Sequence, residues 1–134
     1  MYGALDVSTS GMIAQRTRME VVASNIANSS TIENEFGEYE PYLRRAAMFS
    51  PVSKGNGAGM GVEISEIQIQ EGSTRPAYRP EHPFADDAGY IQVPDIDPTV
   101  EWVNGLQASR AYEANIVAAE TTKNMMAQAL RLLA

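Results

Sequence analysis

The chain contains no cysteine, which excludes a disulfide framework, a thiol nucleophile and a zinc-thiolate site while fixing no redox compartment. Histidine occurs once, at His82. One histidine between Glu81 and Pro83 offers no helical ligand spacing, and no nucleophile, base and orienting acid can be assembled around it. No run of about 18 apolar residues occurs. Asp6, Arg16, Arg18 and Glu20 interrupt the N-terminal region where a signal peptide or membrane span would be sought, so nothing in the sequence predicts a bilayer anchor. What is present is a chain of 134 residues, 44% hydrophobic, which predicts one domain with a modest core and excludes a wholly disordered polymer.

The formal net charge is −7, and its placement says more than its size. Asp6 and Glu20 balance Arg16 and Arg18 in residues 1–30, and the charges of residues 98–134 also cancel. The whole imbalance lies between residues 31 and 97, with twelve acids and five bases. Neutral ends can pack densely, while an acidic middle suits a solvated surface and disfavours nucleic acid as a partner.

From Asp97 to Ala134 the pattern predicts one long helix. Asp97 can cap it, Pro98 suits its first position, and only Gly105 interrupts it. Tyr112, Ile116, Ala119, Met126, Leu130 and Leu133 recur at alternating three and four residues, with Lys123 the one charge in the row. A second row, Ala108, Ala111, Ala118, Met125, Ala129 and Leu132, widens the stripe beyond what one partner helix covers. The N-terminal stretch has a heptad of its own: Leu5, Met12, Met19 and Ile26 lie seven residues apart, with Val22 between and Ser8 and Gln15 at the other intermediate positions. Ser8 to Gly11 are poor helix formers, so partners must order the first turns. This helix should end near Asn28 to Thr31. Asn25 and Asn28 read first as local caps, and alternatively as bonds to a neighbouring chain.

Residues 31–97 hold six of the seven prolines and seven of the ten glycines. Val62 and Ile64 share one parity while Ile67 and Ile69 share the other, which calls for a bulge near Ser65 and Glu66 or for two short strands. Ala46 to Phe49 and Tyr90 to Val93 are further strand candidates. Lys54 to Gly61 reads as a flexible loop, since its glycines lack the Gly-Lys-Ser/Thr ending of a phosphate loop. Asp95 and Asp97 are not framed by a twelve-residue calcium loop. The expected fold class is therefore mainly α: long N- and C-terminal helices pairing as a coiled coil, with a small β- and loop-rich middle segment. Its divisions are residues 1–30, 31–97 and 98–134. About 24 residues of first helix reach roughly 36 Å and about 36 of second helix roughly 54 Å. If the two run antiparallel, Met126, Leu130, Leu132 and Leu133 overhang.

Ala23-Ser24-Asn25-Ile26-Ala27-Asn28 resembles the Ala-Ser-Asn-x-Ala-Asn signature of bacterial flagellar rod and hook axial proteins. The stretch Tyr78 to Tyr90, then Val93 to Asp97, Ala108 to Asn115 and Lys123 to Met126 are similar to the proximal rod family. Asp95, Pro98 and Trp102 depart from the family's usual residues. The resemblance spans nearly the whole chain and is weakest from residue 31 to 61. It implies a structural subunit with no catalysis and no cofactor, assembling helically with itself and other rod proteins into a hollow tube that transmits torque and passes exported subunits. It also implies contact with the membrane-ring and export-apparatus junction below and the distal rod above, no nucleic acid, and no direct membrane insertion. The location implied is the periplasmic rod of the basal body, reached through the flagellar type III system without signal cleavage. Seams and resemblance together nominate Leu5, Met12, Met19, Val22, Asn25, Ile26, Asn28, Tyr112, Ile116, Met126, Leu130 and Leu133 as subunit-interface residues. The rival class is an acidic enzyme or lid domain using His82 and the carboxylates between Asp86 and Asp97.

Overall fold

The computed structural model describes residues 2–53 and 60–133. Among these residues two helices, α1 (Tyr2–Ala27) and α2 (Pro98–Leu133), flank four strands: β1 (Arg45–Ser53), β2 (Met60–Ile69), β3 (Thr74–Tyr78) and β4 (Tyr90–Pro94). Asp97 caps α2 as its residue type suggests, with Oδ1 accepting from the Thr99 N–H at 2.8 Å and its carbonyl from Glu101 N–H. At the other boundary, the Ser24 carbonyl accepts from Asn28 N–H and from Asn28 Nδ2 at 2.9 Å, closing the last turn of α1.

The strands form two antiparallel pairs, β1 with β2 and β3 with β4. The parity change in β2 is resolved by a bulge. Met48 faces Glu66 while the next residue, Phe49, faces Ile64, so Ser65 is the extra residue. Its hydroxyl donates to the Met48 carbonyl at 3.2 Å. Taking up one residue there lets Val62, Ile64 and Ile67 all line the clefts between this sheet and α1. Ser10 ties the two elements directly: its Oγ accepts from Val62 N–H at 3.1 Å and donates to the Val7 carbonyl at 2.7 Å. The loop expected at Lys54 to Gly61 falls, as far as Gly59, outside the described residues, and Met60 and Gly61 already belong to β2.

In the second pair Pro76 stands opposite Gln92. Proline lacks a ladder donor, and a two-stranded sheet has only edge strands, so it is accommodated. The Tyr39 hydroxyl takes up the main chain of Gln92, donating to its carbonyl at 3.0 Å and accepting from its N–H at 2.6 Å. Tyr39 also stacks on Phe84, with ring centroids 5.2 Å apart. Ile91, Pro94 and Ile96 are buried here, and Gly89 makes the preceding turn at φ +82°. His82 sits in the turn before it, Nδ1 accepting from Phe84 N–H at 3.2 Å.

α1 lies between α2 and the β1–β2 sheet. This arrangement corrects the expected mainly α coiled coil in two respects. Four strands in two sheets make the fold mixed, because β1 runs through Pro51 to Ser53 and β3 forms around Pro76, two prolines that count against a strand in sequence but are tolerated at an edge. The helices, moreover, do not meet along the apolar heptads. The buried residues of α1 are Ser8, Gly11, Ala14, Val21, Val22 and Asn25, whereas Leu5, Met12, Met19 and Ile26 are only half-buried. In α2 the buried residues are Glu101 and Ala108. Small side chains admit a closer approach of the two backbones than leucine or methionine would, and the large residues are displaced to the flanks.

Candidate subunit interface

The helices run antiparallel, as three contacts show. Asn25 meets Glu101 near one end. A Cβ on Gly105 would lie 3.3 Å from Val22 Cγ1 in between, and a Cβ on Gly11 would lie 2.8 Å from Asn115 Oδ1 towards the other end. At Gly11 the absence of a side chain is therefore what admits Asn115, whose amide is anchored by Nδ2 donating to the Ala111 carbonyl at 2.8 Å.

Asn25 is fully buried and Glu101 is 1% exposed. Buried polar groups must find partners, and these do. Asn25 Nδ2 donates to Glu101 Oε2 at 3.0 Å and to the Arg45 carbonyl at 2.8 Å. Its Oδ1 accepts from Arg45 N–H at 3.0 Å and from the Tyr42 hydroxyl at 3.2 Å. Both donors and both lone pairs of the amide are thus used within the chain. Glu101 Oε1 accepts from Arg44 Nε at 2.9 Å and Nη2 at 2.6 Å, and Arg44 Nη1 donates to Gln70 Oε1 at 2.9 Å. One cluster joins α1, α2, the segment entering β1 and the end of β2.

The twelve sequence-nominated positions are placed as follows. Val22 and Asn25 are buried; Leu5, Met12, Met19, Ile26, Asn28, Tyr112, Ile116 and Met126 are half-buried; Leu130 and Leu133 are 68% and 86% exposed. Asn28 acts as a local cap, its Nδ2 on the Ser24 carbonyl and its Oδ1 accepting from Thr31 Oγ1 at 3.2 Å. Asn25 does not cap; it bridges to β1 and α2. Sequence reasoning passed over Glu101, Arg44, Tyr42, Gly11 and Asn115. A signal was available for Glu101 and Asn115: with Ala108, Thr122 and Ala129 they recur every seven residues, in a row whose members are small or polar.

Large apolar side chains lie on the outside of the pair. Ile13, Trp102, Val103, Leu106, Val117, Leu130, Leu132 and Leu133 are all more than half exposed, so the helices bury their small residues and present their large ones. No helix among the described residues is long and apolar enough to cross a membrane. Inward polar contacts with outward leucine and tryptophan are the surface pattern of a subunit that assembles, not of a pocketed catalyst.

Comparison with known proteins agrees. Residues 5–32 match the family model described as flagella basal body rod protein, and residues 87–132 match that of the flagellar basal body rod FlgEFG protein C-terminal region. The chain is 36% identical over 145 residues to the flagellar basal-body rod protein FlgC of Bacillus subtilis, covering 98% of this chain and 97% of that one. It is 33% identical over 132 residues to FlgC of Escherichia coli O6:H1, with the same coverage. It is also 33% identical over 150 residues to FlgC of Borreliella burgdorferi, covering 99% and 97%. The chain belongs to the FlgC family of flagellar basal-body rod proteins and is a structural subunit of the rod, not an enzyme.

Proposed function

We propose that the chain packs helically with copies of itself and with other rod proteins into a hollow tube, with residues 1–30 and 98–134 forming the assembling module and residues 31–97 the outer segment. The tube passes torque outward and leaves a channel for exported subunits. Its lower neighbours are at the junction of the membrane ring and export apparatus, and its upper neighbours in the distal rod. The site is periplasmic, and delivery is by the flagellar type III route without signal cleavage.

The observation that carries this reading is the outward placement of Trp102, Leu106, Val117, Leu130, Leu132 and Leu133. Covering a leucine or tryptophan gains on the order of 1.5 to 3 kcal/mol each relative to leaving it in water. Of the nominated interface positions, Leu130 and Leu133 are the most exposed and serve the inter-chain contact. Leu5, Met12, Met19, Ile26, Tyr112, Ile116 and Met126 serve it with their uncovered flanks. Val22, Asn25 and Asn28 support it from within by shaping the helix pair. The test is the double substitution Leu130→Asp with Leu133→Asp. The variant should keep the melting temperature of the monomer and be exported, yet leave cells without rods. Rods formed at the normal frequency would refute the proposal.

A further inference from the structure

Most of the contact between the helices is nearly blind to register. Ser8, Gly11 and Ala14 on α1 and Ala108 on α2 are buried, and Ala111, Ala118 and Ala119 continue the small-residue character of α2. Sliding these small residues past each other replaces one small contact with another, and of the larger apolar side chains of α1 only Val21 and Val22 are buried with them, Val22 against Gly105. Two contacts that involve polar side chains discriminate more sharply. Asn25 finds a carboxylate only at Glu101, and Gly11 makes room for the amide of Asn115. Gly11 and Asn25 are fourteen residues apart, as are Glu101 and Asn115, so both contacts fit at one and the same register.

We infer that Asn25 and Glu101, held by Arg44 and backed by the Gly11–Asn115 fit, are the register key of the helix pair and thereby set how far α2 projects beyond α1. A slip of one turn brings Gly105 opposite Asn25 and Ala119 opposite Gly11. Asn25 Nδ2 then loses its acceptor, and Glu101 passes the end of α1 at Ala27. A slip the other way carries Asn25 to Asp97, the cap and end of the helix. The first slip leaves the buried amide without its acceptor; the second offers it a carboxylate already engaged in capping Thr99 N–H and leaves Glu101 facing Val21. In both, the polar pair specifies one alignment among several that apolar packing would accept. Because Arg44 belongs to the segment entering β1, the same key fixes the helix pair against the sheet. Its effect on the length of α2 offered to neighbours rests on the rod-subunit reading, whereas the register does not.

The absence of cysteine makes the test direct. Two reporters are introduced into the full-length chain, Val22→Cys with Gly105→Cys for the described register and Val22→Cys with Ser109→Cys for a one-turn slip. Intramolecular disulfide yield is read in dilute solution. In the parent background the 22–105 pair should exceed the 22–109 pair by about tenfold or more, and adding Asn25→Leu with Glu101→Leu should bring the two yields within about threefold. An unchanged preference in the doubly apolar variant, or a parent that fails to form 22–105, overturns the inference. Should that variant lose its helical circular dichroism, Glu101→Gln, which keeps the size and removes the charge facing Arg44, replaces it. A severalfold loss of preference then supports the key, and none overturns it. Rods formed at the normal frequency by the Leu130→Asp, Leu133→Asp variant, with the 22–105 preference lost as expected in the doubly apolar one, would count against the assembly reading alone.

Discussion

Asn25 and Asn28 are the same residue type three positions apart in one motif, yet burial gives them different work. Asn28 is partly exposed and bonds the Ser24 carbonyl in the last turn of α1, a hydrogen bond worth about 0.5 to 1.5 kcal/mol net. Asn25 is enclosed, and its removal strands the main chain of Arg45, the Tyr42 hydroxyl and one oxygen of Glu101. Unsatisfied buried groups cost about 1 to 3 kcal/mol each, so Asn25→Ala should destabilise by roughly 2 to 4 kcal/mol after relaxation and water entry. Urea unfolding of both alanine variants checks this, and equal losses would refute the assignment. The sequence identified both asparagines as notable but could not rank them, because rank depends on what lies across the helix at Glu101 and Arg45. Glu101 entered only the charge balance of residues 98–134; the seven-residue row it shares with Ala108 and Asn115 is what marks it as inward.

Among the elements, β2 was the most legible. Its parity break called for a bulge near Ser65 and Glu66 or for two short strands, and the structure has the single strand with Ser65 as the extra residue. With Ser65 removed, Val62, Ile64, Ile67 and Ile69 alternate regularly, so deleting it should leave the α1-facing side of the strand intact. Inserting one alanine after Ser65 also brings the four to one parity, but it slides the rest of β2 two residues along β1 and breaks the Ala47–Ile67 and Arg45–Ile69 pairs that the deletion keeps. Thermal unfolding should therefore show a markedly lower midpoint for the insertion than for the deletion; the reverse order would contradict the bulge's role. The reach of β1 and the existence of β3 were hidden because Pro51 and Pro76 argue against strands unless the strand is known to be an edge, a fact about pairing that local sequence does not hold. The helix faces were misread for a related reason. Heptads of leucine and methionine mark where apolar residues lie on a helix, not which side it buries.

At the scale of the molecule, helix lengths were readable and orientation decided their use. At 1.5 Å per residue, α1 of 26 residues and α2 of 36 differ by about 15 Å. The antiparallel pairing puts that excess at the end bearing Leu130, Leu132 and Leu133. It also places the outer ends of both helices together, on the far side of the pair from Asn25 and Glu101, and this has a mechanical consequence. Force applied between those two ends opens the pair as a zipper, loading one contact at a time and reaching the buried polar cluster last. Force applied along the axis loads the contacts in parallel. A chain held at Gly3 and Gln128 should consequently yield at lower force than one held at Gly3 and Trp102 in single-molecule pulling; equal forces would mean that the helices do not separate in this order. A subunit drawn by its ends would come undone under a weak pull, while the same fold, twisted or compressed along its length, would resist as a unit.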